Sequence, residues 1–337
     1  MSKKIKENPT VKCFSLNGHS RPVRMVKYNR DGDMFFSCSD DKFIMAWDND
    51  TAEKVGVYQG KGACRSLAIS KNTEYVIGSY RLEGVLIFNA MTGDVIEHIK
   101  ATDKYKAEYV EFSYGDKELL VLKIKGDQSK IEFYDFSKLL RGDTEPIRIL
   151  EFDEEVTQSS YGYLNEKLYL STTKGKILIV DTETGEIQVD AKIHPGNNIF
   201  SFSFSKDFSM LASWGNDNKC KLMHPDSLEI IKVFDKESPW RCCTFSTVYD
   251  IDKENDKYHI IIGGGQDAKD VTTTKIKEGS FESRLYSIIY EEELSQITGH
   301  FGPVYSMEWS PDGRGFVSAS EDGTVRLQRF PIDYLLE

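Results

Sequence analysis

Three histidines stand ahead of an aspartate at near-equal intervals. Gly18-His19 leads to Asp41 and Gly299-His300 leads to Asp322, each twenty-two residues after the histidine, and His194 leads to Asp217. A carboxylate that orients an imidazole serves general-base catalysis and metal ligation. The spacing argues for another use. Asp31-Gly32 and Asp312-Gly313 recur with the same offset of 281 residues as the two Gly-His pairs. Landmarks that recur together mark a structural unit, and a hydrogen-bonded imidazole and turn aspartate are costly to leave half made. The three pairs therefore read as architecture, with a catalytic or metal role as the alternative.

Other candidates for chemistry are weaker. The run 259–268, with Gly263-Gly264-Gly265, resembles a strand entering a dinucleotide loop, but such a loop must open a helix. Here Val271-Thr272-Thr273-Thr274 follows, a β-branched run poorly suited to one. The sequence has no phosphate-binding loop ending in Gly-Lys-Ser/Thr, no nucleophile elbow and no paired His-Glu-x-x-His. Its six histidines are scattered singly, without metal-ligand spacing. The acidic runs 151–155 and 250–256 read as solvated loops. No catalytic residue, cofactor site or metal site is expected.

The elements that must position these residues are short strands. Each repeated copy runs from Gly-His through an apolar stretch and an Asp-Gly turn to a Ser-rich strand, an acidic turn and a last strand; Trp47-Asp48 ends the first copy. A unit of about 40–45 residues built this way is the WD-type blade of a β-propeller, and six units of about 47 residues would fill the offset, which predicts seven blades. The fold class is thus all-β, a seven-bladed WD40 propeller. Expected strands include 23–28, 34–39 and 43–48 in blade one, and 156–161, 167–172 and 176–181 in blade four. Blades two, three, four and six lack the full His–Asp pair, and Leu82 stands at the Asp position of blade two. Blade seven lacks an outer strand, so residues 11–16 are expected to supply it and close the ring. Residues 11–337 then form one domain, and residues 1–10, with Lys3, Lys4 and Lys6, a basic and disordered extension.

Composition fits a platform for proteins. The net charge of −11 opposes general attraction to phosphate backbones, so no sequence-specific nucleic-acid binding is expected. Six cysteines without a CxxC pair read as small buried hydrophobes, Cys38 and Cys220 among them. The start has no apolar signal region and no stretch approaches 18 apolar residues. A soluble, cytoplasmic protein without membrane contact is expected. Asn49-Asp50-Thr51 and Arg141-Gly142-Asp143 read as chance motif matches.

The segment 263–274, Gly-Gly-Gly-Gln-Asp-Ala-Lys-Asp-Val-Thr-Thr-Thr, resembles the characteristic insertion of the i subunit of eukaryotic translation initiation factor three. Gly279-Ser280-Phe281-Glu282-Ser283-Arg284, Glu291-Glu292-Glu293-Leu294 and Gly299-His300-Phe301-Gly302-Pro303 continue the resemblance in order. Leu16-Asn17-Gly18-His19-Ser20-Arg21-Pro22 and residues 26–33 resemble that family's first blade. Residues 1–10 precede the usual family start, blade two has lost Gly-His, and His224-Pro225 stands where the family tends to carry an acidic residue.

The resemblance implies a non-enzymatic scaffold subunit of that initiation factor. It would dock a C-terminal helical segment of the b subunit, and the g subunit, on the small ribosomal subunit during initiation and scanning. Asp207 keeps the family's acidic turn residue, and with His224 it falls where the b segment would be held. The blade five–six side, with Trp214, Trp240 and Arg241, is the candidate partner surface. Trp214 could equally be core, whereas Trp240, after Ser238-Pro239, is expected to be exposed. The 263–274 insertion reads as a staple on its own blade, with partner contact as the alternative. A related WD40 adaptor in signalling or RNA–protein assembly is the competing function, and a propeller hydrolase the enzymatic one.

Overall fold

The computed structural model describes residues 11–101, 105–235, 239–247, 258–265, 281–331 and 334. Its strands form seven four-stranded antiparallel sheets. Blade one consists of Val23–Tyr28, Met34–Ser39, Phe43–Asp48 and Lys54–Gln59. Blades two to six span 64–100, 106–152, 156–192, 199–235 and 240–297. Blade seven joins Val304–Trp309, Gly315–Ser320 and Thr324–Arg329 to Lys12–Asn17. That last pairing is antiparallel, from Lys12 opposite Arg329 to Asn17 opposite Thr324. It closes the ring as expected, one residue later in the chain.

Residue type tracks position within each blade. The second and third strands lie between neighbouring sheets and are mostly buried and apolar, as in Phe35, Phe36 and Cys38 or Ile44 and Ala46, with buried serines such as Ser37 and Ser318 among them. The outermost strands meet water and leave Val55, Val57, Ile230 and Val233 exposed. Blades one and four place their first three strands at the expected residues. In blade five the second strand begins at Leu211 because Asp207 and Ser205 hold the Ser209 and Met210 amides in the preceding turn. In blade six the third strand stops at Ser287, where the Glu291 amide bonds back to the Ser287 carbonyl. The α-helix Phe136–Leu139 is a single turn, capped by Asp135.

Chain direction defines two faces. Every innermost strand starts at one face, here the upper, so the His–Asp loops and the turns between second and third strands lie there. The turns between first and second strands, and between third and fourth, lie on the lower face. In all seven innermost strands the pairing register shifts near the strand's start, at the second residue in six and at the third, Glu108, in blade three, a β-bulge. The bulged residues, Thr157 of blade four among them, line the upper end of the central channel.

Candidate interaction surfaces

The His–Asp pairs are brought together as buried struts of the upper face. In blade one, His19 Nδ1 lies 2.9 Å from Asp41 Oδ2, which also accepts from the Ser20 amide. His19 Nε2 lies 2.8 Å from Ser37 Oγ, and the Trp47 indole donates to the same hydroxyl at 2.9 Å. Blade seven repeats this with His300, Asp322 at 3.0 Å and Ser318 at 2.8 Å, and Gln328 takes the indole's place beside Ser318. Blade five has His194, Asp217 at 2.8 Å and Ser213 at 3.0 Å, without a polar group in the indole position.

These imidazoles have side-chain exposures of 0–3%. Burial pushes His194 and His300 below the ordinary imidazole range, outweighing their aspartates. Burial works against the Asp322 and Asp41 charges too, but hydrogen bonds from imidazole and backbone outweigh it and hold both carboxyls low. A neutral ring with both nitrogens engaged in the interior has no free edge for substrate or metal. Among the described residues no group of three or more His, Cys, Asp or Glu could hold a metal ion.

Blade two closes its seam differently. Leu82 does stand at the Asp position and is 77% exposed. Its neighbour Glu83 accepts from the Lys61 amide at 2.7 Å, as Asp41 does from Ser20. Tyr80, fully buried, presses on Gly60, where a Cβ would meet the ring at 2.5 Å.

The five partner candidates do not form one surface. Asp207 and His224 sit on neighbouring lower-face turns of blade five and are exposed. Partial burial opposes the Asp207 charge, but hydrogen bonds from Ser205 and the Ser209 amide hold its carboxyl below the usual range. The His224 ring accepts from the Asp226 amide at 3.3 Å. Arg241 is half-buried on the upper face, over Phe200 at 4.7 Å and donating to the Gly265 carbonyl at 3.1 Å. Trp214 is core, its indole donating to the Arg241 carbonyl.

Trp240 corrects the sequence reading. Expected to be exposed, it is fully buried, because it is the first residue of an innermost strand, a position filled elsewhere by Val23, Cys64, Val156 and Val304. The lower face carries apolar residues that sequence reasoning missed. Tyr114, Tyr163 and Leu164 are 56–72% exposed, and Tyr163 meets Phe208 edge-on at 5.9 Å, beside Asp207. Leu164, Asn165 and Phe208 adopt left-handed backbone conformations (φ 56–62°) in these tight turns. Two adjacent large apolar residues inside a turn, Tyr163-Leu164, were the available signal.

Of the 263–274 insertion, Gly263, Gly264 and Gly265 are described, and they leave blade six at the upper face; residues 266–280 lie outside the described residues, as do 1–10 and 250–256.

Comparison with known proteins covers this whole framework. The EIF3I family model matches residues 11–336. The chain belongs to the family of eukaryotic translation initiation factor 3 subunit I. It is 32% identical over 328 residues to the proteins of that name from Drosophila grimshawi and Drosophila melanogaster, covering 96% of this chain and 98% of each relative. Its fold is also similar to the crystal structure of the Myceliophteria thermophila Cps50 (Swd1) β-propeller domain, with TM-score 0.73, 17% identity, and 93% and 98% of the two chains covered. Family membership makes this chain a translation initiation factor subunit. No helix among the described residues is long and apolar enough to cross a membrane.

Proposed function

We propose that the chain is a non-enzymatic, cytoplasmic scaffold of initiation factor 3. In this reading it holds the C-terminal helical segment of subunit b, and subunit g, on the small ribosomal subunit during initiation and scanning. The observation that carries the docking role is the Asp207 turn. An exposed carboxylate, already ionised by its own turn, stands beside Phe208, Tyr163 and Leu164 on a rigid lower face. Apolar anchors of this kind supply affinity, and a charge at their rim fixes the register of an incoming helix with basic residues. Asp207 and His224 serve as rim contacts; Trp214 and Trp240 support the blades from within.

Pull-down with a peptide of the subunit b C-terminal segment tests this reading. Asp207→Asn, which keeps an oxygen for the Ser209 amide but removes the charge, should weaken capture by roughly tenfold while the melting temperature holds. Undiminished capture would remove Asp207 from the interface. Failure of initiation-factor subunits and small ribosomal subunits to co-purify in gentle salt would remove the scaffold role itself.

A further inference from the structure

The upper mouth of the channel has a chemistry of its own. Arg24, Arg65 and Glu108 are the bulged residues of blades one to three, and Phe200, Arg241 and Tyr305 those of blades five to seven. All six line one cavity of about 1090 Å³. Arg24 lies over the Tyr305 ring at 4.8 Å and donates to Asp40, which also receives Arg65 at 3.3 Å. Arg65 reaches Glu108 at 3.1 Å, and Arg81 reaches the same carboxylate at 2.7 Å. Three guanidiniums thus share two carboxylates in one unbroken run.

Arg65 uses Nε and Nη1 in these bonds, and Arg81 only Nε. Their other N–H donors have no protein acceptor among the described residues, and both side chains line the cavity. Lys106 and Lys125 line the same side. Glu155 stands there too, its carboxyl pushed up by burial and by the nearby Asp127 and Glu108. Even so, five cations face four acidic groups here, Asp40, Glu108, Asp127 and Glu155, on a chain whose net charge is −11.

We propose that this mouth, at blades one to three, binds a phosphoserine or phosphothreonine side chain of a partner peptide. Guanidiniums braced by carboxylates offer pre-positioned N–H donors, which suit the acceptor oxygens of a phosphate. The rest of the chain repels a long polyanion, so a compact dianion on a peptide fits better than RNA. Tyr305 and Phe200 carry the Arg24 and Arg241 guanidiniums on their ring faces and so hold those charges at the cavity wall. The site is on the opposite face from Asp207 and does not depend on the docking of subunit b.

Fluorescence anisotropy on the isolated chain tests the proposal with three probes: a phosphoserine-centred peptide library, the matching serine library, and oligouridylate. The phosphorylated library should bind roughly tenfold more tightly than its serine counterpart. Arg65→Gln and Arg81→Gln should each remove most of that difference and leave subunit b peptide capture unchanged. Equal binding of the two libraries overturns the proposal. So does preferential binding of oligouridylate that the same substitutions abolish. Should Arg65→Gln lower the melting temperature, Arg81→Glu decides, since that side chain is 42% exposed and can be replaced without disturbing the core. A phosphate preference that survives Arg81→Glu also overturns the proposal.

Discussion

The seam at His19 and the seam at Tyr80 close the same kind of junction with unlike residues. In blade one a polar chain runs from Asp41 through His19 to Ser37 and Trp47, and every link is a hydrogen bond inside the protein. In blade two the space beside Gly60 is filled by the Tyr80 ring, and Glu83 takes over only the capping of a loop amide. The first seam depends on satisfied polar groups, the second on volume. A blade can therefore lose its histidine and aspartate provided that the hole is filled and the amide capped.

Removing the filler should cost most. Tyr80→Ala leaves a large hole among Ile44, Phe88 and Gly78, and a loss of about 3–5 kcal/mol is expected in urea denaturation. A loss below about 1 kcal/mol would mean that the seam does not depend on volume. His19→Ala comes next. It takes the imidazole from the nearly closed Asp41 carboxylate, which keeps only backbone amides, and from the Ser37 hydroxyl, for about 2–3 kcal/mol. If His19→Phe, which fills the space without polar atoms, proved as stable as wild type, the polar description of blade one would fall. Glu83→Gln should cost about 0.5–1 kcal/mol, because an amide oxygen can still cap Lys61; thermal melts beside Glu83→Ala measure this.

Acidity gives the smallest effect and separates seams with an imidazole from the seam without one. Burial keeps His194 and His300 neutral, so below about pH 6.5 the unfolded chain binds protons that the folded chain refuses, and stability falls as pH drops. Glu111 and Glu308, pushed up to about 7 in the channel chiefly by burial, act oppositely: they favour the folded state in acid and lose that contribution as pH rises through 7. The two slopes oppose each other in the native protein. With Glu111→Gln or Glu308→Gln made singly, so that the buried Lys27 keeps one carboxylate, the imidazole slope should weigh more, and the urea midpoint should fall more steeply from pH 7 to about 5.5 than in the native protein. Hydrogen exchange should then show blades five and seven losing protection while blade two, without an imidazole, keeps it. Equal loss in blade two would show that the seams titrate together.

Much of this was legible in the sequence. Alternating strands bounded by Asp-Gly and Thr-Gly turns placed most elements of blades one and four to the residue, because buried second and third strands admit little but apolar side chains. The paired offsets of Gly-His and Asp foretold two contacts that no local pattern encodes, and the near-equal interval from His194 to Asp217 a third. Trp240 was misread because Ser238-Pro239 looks like an exposed loop, whereas burial there follows from place in the repeat. Asp207 and Arg241 were grouped because they are neighbours by blade, yet strand direction sends them to opposite faces. The arginines of the mouth were invisible for a related reason. Arg24, Arg65 and Arg241 converge only when the bulge positions of successive innermost strands are compared around the ring, and one residue in about 40–45 leaves no local trace.

Pairing Lys12 with Arg329 also sets a kinetic problem. The strand synthesised earliest waits for the one synthesised last, so nearly the whole polypeptide forms the loop that this contact must close. Folding of such non-local sheets is slow, and until it completes an unsatisfied backbone edge is available to any other extended chain. A cell that makes this protein in quantity therefore faces a window of vulnerability to domain exchange and aggregation, whose length is set by the final residues rather than the first.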